Sequence, residues 1–297
     1  MPSTLLQPDI LARAEALGVA ARQLVEGLRV GDHKSPYKGF SVEFVQHREY
    51  VPGDDIRHID WKSYGRSERY TIKQYEQETN YLCHLLLDGS NSMRYGRGDA
   101  NKLEYAKLLA ASLSYMIIRQ RDAVSLRIFN TGWVAELPSS SSMAHINAIT
   151  HTLEDTQPRD RTAIGPLLDE VADRISRRGI VCLISDCLED LEPITAALRH
   201  LRFRGHEVVL FHVLHKDEVQ FPLDGNIRFI GLEGFEELMT RPHLLRPAYL
   251  RIIKKYLADI QRGCDGSGVD YVPMFTDRPL DVALSEYLVR RLQTGRR

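Results

Sequence analysis

Apolar runs alternate with amphipathic stretches of helix length from residue 81 to the end of the chain. Runs that are apolar throughout are typical of strands buried on both faces, whereas apolar residues three and four positions apart indicate helices. The alternation predicts an α/β fold in which helices flank a mostly parallel sheet. We expect strands at 81–87, 123–129, 133–137, 180–184, 207–214 and 269–275. We expect helices at roughly 102–119, 143–154, 164–177, 190–203, 247–262 and 280–293.

Two stretches depart from this alternation. The strand at 133–137 follows the turn residues Asn130, Thr131 and Gly132, which predicts a hairpin and therefore one antiparallel edge strand. Residues 216–245 fit no simple crossover connection, so we interpret them as an insertion that contains a short strand at 227–230.

The first 80 residues have a different pattern. Segment 8–28 carries apolar residues in alternating steps of four and three, which predicts an amphipathic helix that packs on its own domain or on a partner helix. Glycine and proline punctuate residues 31–80 around short alternating stretches such as 40–44, a pattern that indicates a small β-rich segment. We therefore divide the chain into an N-terminal region, residues 1–80, and an α/β domain, residues 81–297.

Composition narrows the class of function. The 297 residues are 43% hydrophobic and carry a formal net charge of −1, so the chain can bury a large core but lacks the broad positive field of nucleic-acid-binding proteins. No stretch approaches the roughly 20 apolar residues that span a bilayer, and the N-terminus does not resemble a signal peptide. The four cysteines show neither zinc-type spacing nor the density of a secreted disulfide scaffold. We expect a cytoplasmic protein that binds no nucleic acid and does not insert into a membrane; its oligomeric state is left open.

The sequence Asp88-Gly89-Ser90-Asn91-Ser92 directly follows the apolar run 81–87. Ligands of open α/β sheets gather beyond the carboxyl ends of the strands, where one carboxylate and two hydroxyls would form half of a metal cage. Thr162 and Asp186 are plausible partners, and Asp186 again follows an apolar strand. Because oxygen ligands select a hard cation, we expect Mg²⁺, with Mn²⁺ also possible. The predicted metal ligands are Asp88, Ser90, Ser92, Thr162 and Asp186.

The alternative is that the aspartate and serines of this motif only cap a turn and the helix that begins near Lys102, since both residue types are favoured there. If a metal binds, a cage of hydroxyls and few carboxylates neutralises little of its charge. Such an ion would capture an acidic group from another protein.

The ligand set resembles the metal-ion-dependent adhesion site of von Willebrand factor A domains. In that class the serines and the threonine touch the metal, Asp88 would hold it, and Asp186 would act directly or through water. The sequence departs from the class at one point, because Thr162 follows Arg159, Asp160 and Arg161 rather than a glycine.

A second signature lies upstream, in residues 39–44 and 48–61, where opposite charges surround the turn Pro52-Gly53. These charges form a solvated loop, an internal network of ion pairs or a partner-binding face. Together with the downstream motif, residues 30–205 resemble the bacterial domain of unknown function fifty-eight, von Willebrand factor A-like proteins typically encoded beside a MoxR-type AAA ATPase. The resemblance implies a non-enzymatic adaptor or chaperone-like partner of that ATPase or of its protein client.

Two rival functions are considered. A strand-end aspartate with Mg²⁺ also describes phosphoryl-transfer enzymes, but residue 90 is a serine where many aspartate-dependent phosphatases have a second carboxylate, and no P-loop occurs. We therefore expect no enzymatic activity. The other rival is a metal-free structural interaction domain.

Overall fold

The chain divides into two units, which are described separately. The computed structural model describes residues 42–50, 60–67, 70–77, 81–232 and 237–294. Residues 42–77 belong to one compact unit and residues 81–294 to the other. The predicted helix at 8–28 and residues 51–59 of the charged signature lie outside the described residues, so the proposed bounds of the N-terminal region stay a prediction.

Among its described residues, the small unit contains two strands and one short helix. Strand β1 (Val42–Glu49) pairs antiparallel with strand β2 (Thr71–Gln77), and the register shifts between Phe44 and Gln46. Helix α1 (Trp61–Ser67) lies between them in sequence, and the rings of Tyr64 and Tyr70 stack with centroids 4.5 Å apart. The two strands agree with the predicted β-rich character, whereas the helix was not predicted.

The large unit contains eight strands and seven helices among its described residues. Its strands are β3 (Leu82–Asp88), β4 (Ala123–Phe129), β5 (Trp133–Ser140), β6 (Ile180–Ser185), β7 (Glu207–Leu214), β8 (Ile227–Phe229), β9 (Leu238–Thr240) and β10 (Asp270–Phe275). Its helices are α2 (Lys102–Arg119), α3 (Met143–Asp155), α4 (Ile164–Arg174), α5 (Leu191–Phe203), α6 (Lys216–Gln220), α7 (Pro242–Ser267) and α8 (Leu280–Thr294).

Six of these strands form one sheet in the order β10-β7-β6-β3-β4-β5, and all neighbours are parallel except β4 and β5. The predicted α/β, von Willebrand factor A-like fold with one antiparallel edge strand is therefore confirmed. Strand β3 is the first strand of the sheet along the chain, and β4 and β5 follow on one side of it. The chain then crosses back, and β6 lies on the other side of β3. The topology thus switches between β3 and β6, the two strands that end at the predicted carboxylate ligands.

The sheet is covered on both faces. Helices α2, α3 and α8 contribute to one apolar cluster, and helices α4, α5 and α7 contribute to the other. The central leucines of strand β3 fill both cores: Leu85 and Leu87 lie in the first cluster and Leu86 lies in the second. Alternate side chains of a central strand must fill both cores.

Most predicted elements of the α/β domain agree with the structure within three residues, but helix α7 does not. It begins at Pro242 rather than 247, because Pro242 occupies the first turn, where a missing N–H costs nothing. It continues to Ser267 rather than 262, because Cys264 is buried in the core, and it ends at Gly268, whose φ is 67°.

The predicted insertion contains more structure than one strand. Helix α6 opens it, and β8 pairs antiparallel with β9, a strand that was not predicted. The end of the predicted insertion, from Pro242 onward, belongs to α7.

Candidate metal-ion-binding site

Asp88 is the last residue of β3 and is completely buried. One carboxylate oxygen, Oδ1, accepts a hydrogen bond of 2.9 Å from the backbone N–H of Ser90. The other, Oδ2, accepts one of 2.6 Å from the hydroxyl of Ser185, the last residue of β6. Both oxygens are therefore held in place by neighbouring groups.

The hydroxyls of Ser90 and Ser92 lie 2.9 Å apart and are buried. Two adjacent ligands of an octahedral magnesium ion, each at about 2.1 Å, are about 3 Å apart. Gly89 allows this turn to lie close to β4, because a Cβ there would be 3.2 Å from Ile128 Cγ2, and its N–H donates to the carbonyl of Phe129 at 2.7 Å.

The capping alternative does not describe these serines. Ser90 precedes the 3-10 turn Asn91–Arg94 and makes no side-chain capping bond. Helix α2 is capped instead by Asn101, whose side chain accepts a hydrogen bond from the N–H of Glu104.

Thr162 lies on a loop that is fastened to the serine turn. The N–H of Arg159 donates to the carbonyl of Gly89 at 3.0 Å, and the N–H of Asn91 donates to the carbonyl of Asp160 at 2.9 Å. Asp160 has a φ of 58°, a left-handed conformation that aspartate tolerates better than most residues. The chain thus makes a sharp turn before Thr162 without a glycine.

The hydroxyl of Thr162 is buried and forms no hydrogen bond with any described residue, and Thr162 is 7% exposed. A buried hydroxyl without a partner costs about 1–3 kcal/mol. The hydroxyl oxygen of Thr162 is therefore free to coordinate a cation.

Asp186 directly follows β6 and is completely buried. Its Oδ2 accepts a hydrogen bond of 2.7 Å from Lys102 Nζ, and its Oδ1 accepts one of 3.3 Å from the N–H of Leu188. Its backbone carbonyl accepts from Nε2 of the buried His212 at 2.8 Å. Cys187, the next residue, has a φ of 51°, so the chain turns sharply after this ligand as well.

Lys102 contacts a predicted ligand and was not itself predicted from the sequence. Its ammonium group is completely buried and bridges Asp186 and Glu218, the latter at 2.6 Å. Burial alone would lower the pKa of Lys102, but the two carboxylates raise it above its ordinary value, so the group stays charged. One feature of the sequence pointed to such a role, because a lysine at the first position of a helix opposes the helix dipole and needs another reason to be there.

The site concentrates negative charge around Asp88. Burial and the charge of Asp186 raise the pKa of Asp88 to about 7, against the hydrogen bonds from Ser185 and Ser90, which lower it. Burial lowers the pKa of His212 to about 4, so this histidine is neutral and brings no cation to the site. A divalent cation would stabilise both carboxylates in their ionised form.

The donor set fits a hard cation bound mainly by hydroxyls. Among the described residues, no group of three or more histidine, cysteine, aspartate or glutamate side chains could hold a metal. A metal here would therefore need the two serines and the unpartnered Thr162 besides the carboxylates. It would share Asp186 with the ammonium group of Lys102.

In the described ranges, no helix is both long and apolar enough to cross a membrane.

Comparison with known proteins gives the family of the chain. A family model described as protein of unknown function DUF58 matches residues 46–256. Uncharacterized proteins of Mycobacterium bovis and Mycobacterium tuberculosis are 25% identical over 279 residues, which cover 91% of this chain and 86% of each relative.

Solved structures with similarity to the chain include the conserved hypothetical protein BatB from Bacteroides thetaiotaomicron and the SpRpn10 VWA domain. BatB has a TM-score of 0.47 and 19% identity, with 72% of this chain and 99% of that chain covered. The SpRpn10 domain has a TM-score of 0.41 and 12% identity, with 72% and 95% covered. The chain belongs to the DUF58 family, as its motifs predicted.

Proposed function

We propose that this member of the DUF58 family is a non-enzymatic, metal-dependent adaptor that grips an acidic residue of a protein partner through a bound Mg²⁺ or Mn²⁺. Asp88, Ser90, Ser92, Thr162 and Asp186 would hold the ion. The observation that carries the proposal is the buried, unpartnered hydroxyl of Thr162 on the loop fastened to the serine turn. A bound cation would supply the partner that the Thr162 hydroxyl lacks and would offset the free-energy cost of burying it.

The coordination number supports an acidic partner group. Serine and threonine ligands carry no charge, and the ammonium of Lys102 is shared between Asp186 and Glu218. The five ligands would leave one position of an octahedral ion open to a carboxylate oxygen of the partner.

The identity of the partner rests on the family resemblance. We propose a MoxR-type AAA ATPase, or the protein client of that ATPase, as the partner, and the cytoplasm as the site of action. The role would be that of an adaptor or chaperone-like factor.

The preference for an adaptor over a phosphoryl-transfer enzyme rests on the sequence. Residue 90 is a serine where many aspartate-dependent phosphatases have a second carboxylate, and no P-loop occurs. Asn101 and not the serine motif caps α2, so capping explains only the hydrogen bond from the N–H of Ser90 to Asp88.

The test is an affinity pull-down with the full chain, with Mg²⁺ or with EDTA, from a lysate that contains the MoxR-type ATPase. Wild type is compared with Asp88→Ala and with Thr162→Val, a variant that removes one hydroxyl without removing a hydrogen bond. We expect wild type to retain the ATPase or a defined client with Mg²⁺ only, and both variants to lose it. Retention of the same proteins by all three chains, or in EDTA, would contradict the metal-mediated mechanism.

A further inference from the structure

Helix α7 has an outer face that combines cations with apolar side chains. Residues 241–258 contain five arginines and lysines and no aspartate or glutamate. One side of this stretch is solvent-exposed, and we name it the outer face of α7. It consists of Leu244, Ala248, Arg251, Ile252 and Lys255.

The opposite side of α7 is used for packing within the fold. Tyr249 donates a hydrogen bond of 2.8 Å to the carbonyl of Glu218, and Ile260 and Cys264 are buried in the core. The outer face has no such role: Leu244 is 67% exposed and Ile252 is 68% exposed.

The cations of the outer face are not paired with the nearest carboxylate on the helix, because Asp259, one turn beyond Lys255, pairs with Arg262. Within the described part of the chain, Arg251 and Lys255 have no ion-pair or hydrogen-bond partner. Arg246, on the inner side, instead donates to the carbonyls of Phe221 and Leu223, both at 2.9 Å. The positive charge of the outer face is therefore available to an acidic partner.

The outer face belongs to a helix that is fastened to the loop after Asp186. The hydroxyl of Tyr256 donates to the carbonyls of Cys187 and Glu189. Leu188, between them, is 44% exposed. A partner that reaches the metal site thus comes close to the helix that carries the cations.

We propose that the outer face of α7 is a docking surface for an acidic segment of a protein partner that carries leucine-like apolar residues among its carboxylates. Carboxylates would pair with Arg251 and Lys255, and apolar side chains would cover Leu244 and Ile252. The inference rests on the proposed function only in taking the partner to be a protein, because binding at this surface needs no metal.

The arrangement of the side chains favours a protein over a membrane. A helix that lies on a membrane needs a continuous apolar face that enters the lipid, with its cations on the other side. On the opposite side of α7, Ile260 and Cys264 are packed in the core, and Ile252 lies beside Arg251 on the exposed side. Interleaved charges and apolar groups match the surface of a protein segment instead.

The experiment selects peptides from a displayed library of random sequences of about 20 residues, long enough to form a helix on binding. The full chain is the bait, in Mg²⁺ and in EDTA. The test variant is Arg251→Glu/Lys255→Glu. The matched control is Arg177→Glu/Arg199→Glu, which makes the same change of charge at two exposed arginines outside α7.

We expect wild type and the control to enrich peptides rich in Asp or Glu and Leu, with or without EDTA, and the test variant to bind those peptides at least about tenfold more weakly. Peptides without an acidic excess, or equal binding by the test variant, would overturn the proposal. The proposal would equally be overturned if no acidic peptide bound wild type and another occupant depended on these two cations. That occupant would be a membrane if the test variant lost binding to phosphatidylglycerol vesicles, and a second copy of the chain if it lost self-association. It would be segment 8–28 if the test variant lost carbodiimide cross-links from that segment. If EDTA abolishes retention of the partner in the pull-down but leaves peptide binding intact, the outer face of α7 acts independently of the metal site.

Discussion

Replacement of Thr162 distinguishes a metal-binding role of its side chain from a structural role. Thr162→Val keeps the shape of the side chain but removes a hydroxyl that has no partner. We expect Mg²⁺ affinity to fall by about tenfold or more, while stability in EDTA stays equal or rises by up to about 1 kcal/mol, because an unsatisfied buried hydroxyl is lost. Titration calorimetry and urea unfolding measure the two effects.

Thr156→Val is the matched control for this prediction. The hydroxyl of Thr156 donates to the carbonyl of Thr152 at 2.7 Å, so its loss should cost about 1 kcal/mol of stability and leave Mg²⁺ affinity unchanged. Equal Mg²⁺ affinity in wild type and Thr162→Val would show that Thr162 is not a ligand.

Lys102 supports the site when no metal is bound. Lys102→Met leaves Asp186 and Glu218 without their buried counter-ion, and we expect a loss of about 3–5 kcal/mol of stability in EDTA. The freed Asp186 should then bind Mg²⁺ more strongly, so the rise in melting temperature on adding Mg²⁺ should exceed that of wild type. Thermal unfolding with and without Mg²⁺ measures both.

Lys107→Met is the control on the same helix. Lys107 pairs with Glu104, which is largely exposed, so this variant should lose at most about 1 kcal/mol and respond to Mg²⁺ as wild type does. If Lys102→Met and Lys107→Met had the same stability in EDTA and the same response to Mg²⁺, Lys102 would have no role at the site.

Sequence reasoning at this scale finds ligands that are close together in the chain. The carboxylate and hydroxyls of residues 88–92 can be read directly because they follow a strand within five residues. Lys102, Ser185, His212 and Glu218 come to the site from four separate elements or loops. Only the packing of those elements reveals their contacts.

At the scale of elements, the contact between α4 and α5 depends on a glycine. A Cβ on Gly165 would lie 2.8 Å from Pro193 Cβ and 3.2 Å from the backbone of Pro193. Gly165→Ala should therefore force the two helices apart and cost about 1–3 kcal/mol of stability. The midpoint of urea unfolding measures the change.

Gly266→Ala in α7 is the control, because no atom lies within 4 Å of the added carbon. This change should stabilise the chain by up to about 1 kcal/mol through helix propensity. If Gly165→Ala and Gly266→Ala shifted the midpoint of urea unfolding in the same direction, the packing argument would be refuted.

Elements that are apolar throughout or strictly periodic are predictable, and elements punctuated by proline and glycine are less so. Strand β3 and helix α2 match their predicted bounds to within one residue. Helix α7 was predicted too short, at 247–262, whereas the buried Ile260 and Cys264 lie on a helix that continues past Gly263 to Ser267. Tertiary packing outweighs local propensity there.

At the scale of the whole molecule, stability should depend on the protonation of His84. This histidine lies in β3, is 5% exposed, and its Nδ1 lies 2.7 Å from the hydroxyl of Ser125. Burial, with the charges of Arg127 and His206, lowers the pKa of His84 to about 3. Its contribution to folding stability is present above the ordinary histidine pKa, about 6.5.

The sign follows from proton binding. Below about pH 6.5 the unfolded chain binds a proton that the folded chain excludes, so stability falls as the pH drops toward 3. We expect His84 to account for about 3 kcal/mol of the loss between pH 7 and pH 4, since one pKa unit is about 1.4 kcal/mol. Urea unfolding across this range should give a shallower pH slope for His84→Gln and an unchanged slope for the exposed His243→Gln. Identical slopes in wild type and His84→Gln would contradict the prediction.

The layered architecture was predictable from the alternation of strands and helices, but the order of the strands was not. The return of the chain from β5 to β6 across β3 brings Asp88 and Asp186 to one edge of the sheet. No periodicity in the sequence encodes that step, because it is set by the packing of helices on both faces.

The most direct test of the central claim is a calorimetric titration of the full chain with MgCl₂, with Ser90→Ala/Ser92→Ala in parallel. The account predicts that wild type binds one Mg²⁺ per chain and that the double variant, which loses both hydroxyls of the motif, does not. Absence of Mg²⁺ binding by wild type at concentrations up to about 10 mM, above the range of weak protein sites, would contradict it. Equal binding by the two proteins would do the same.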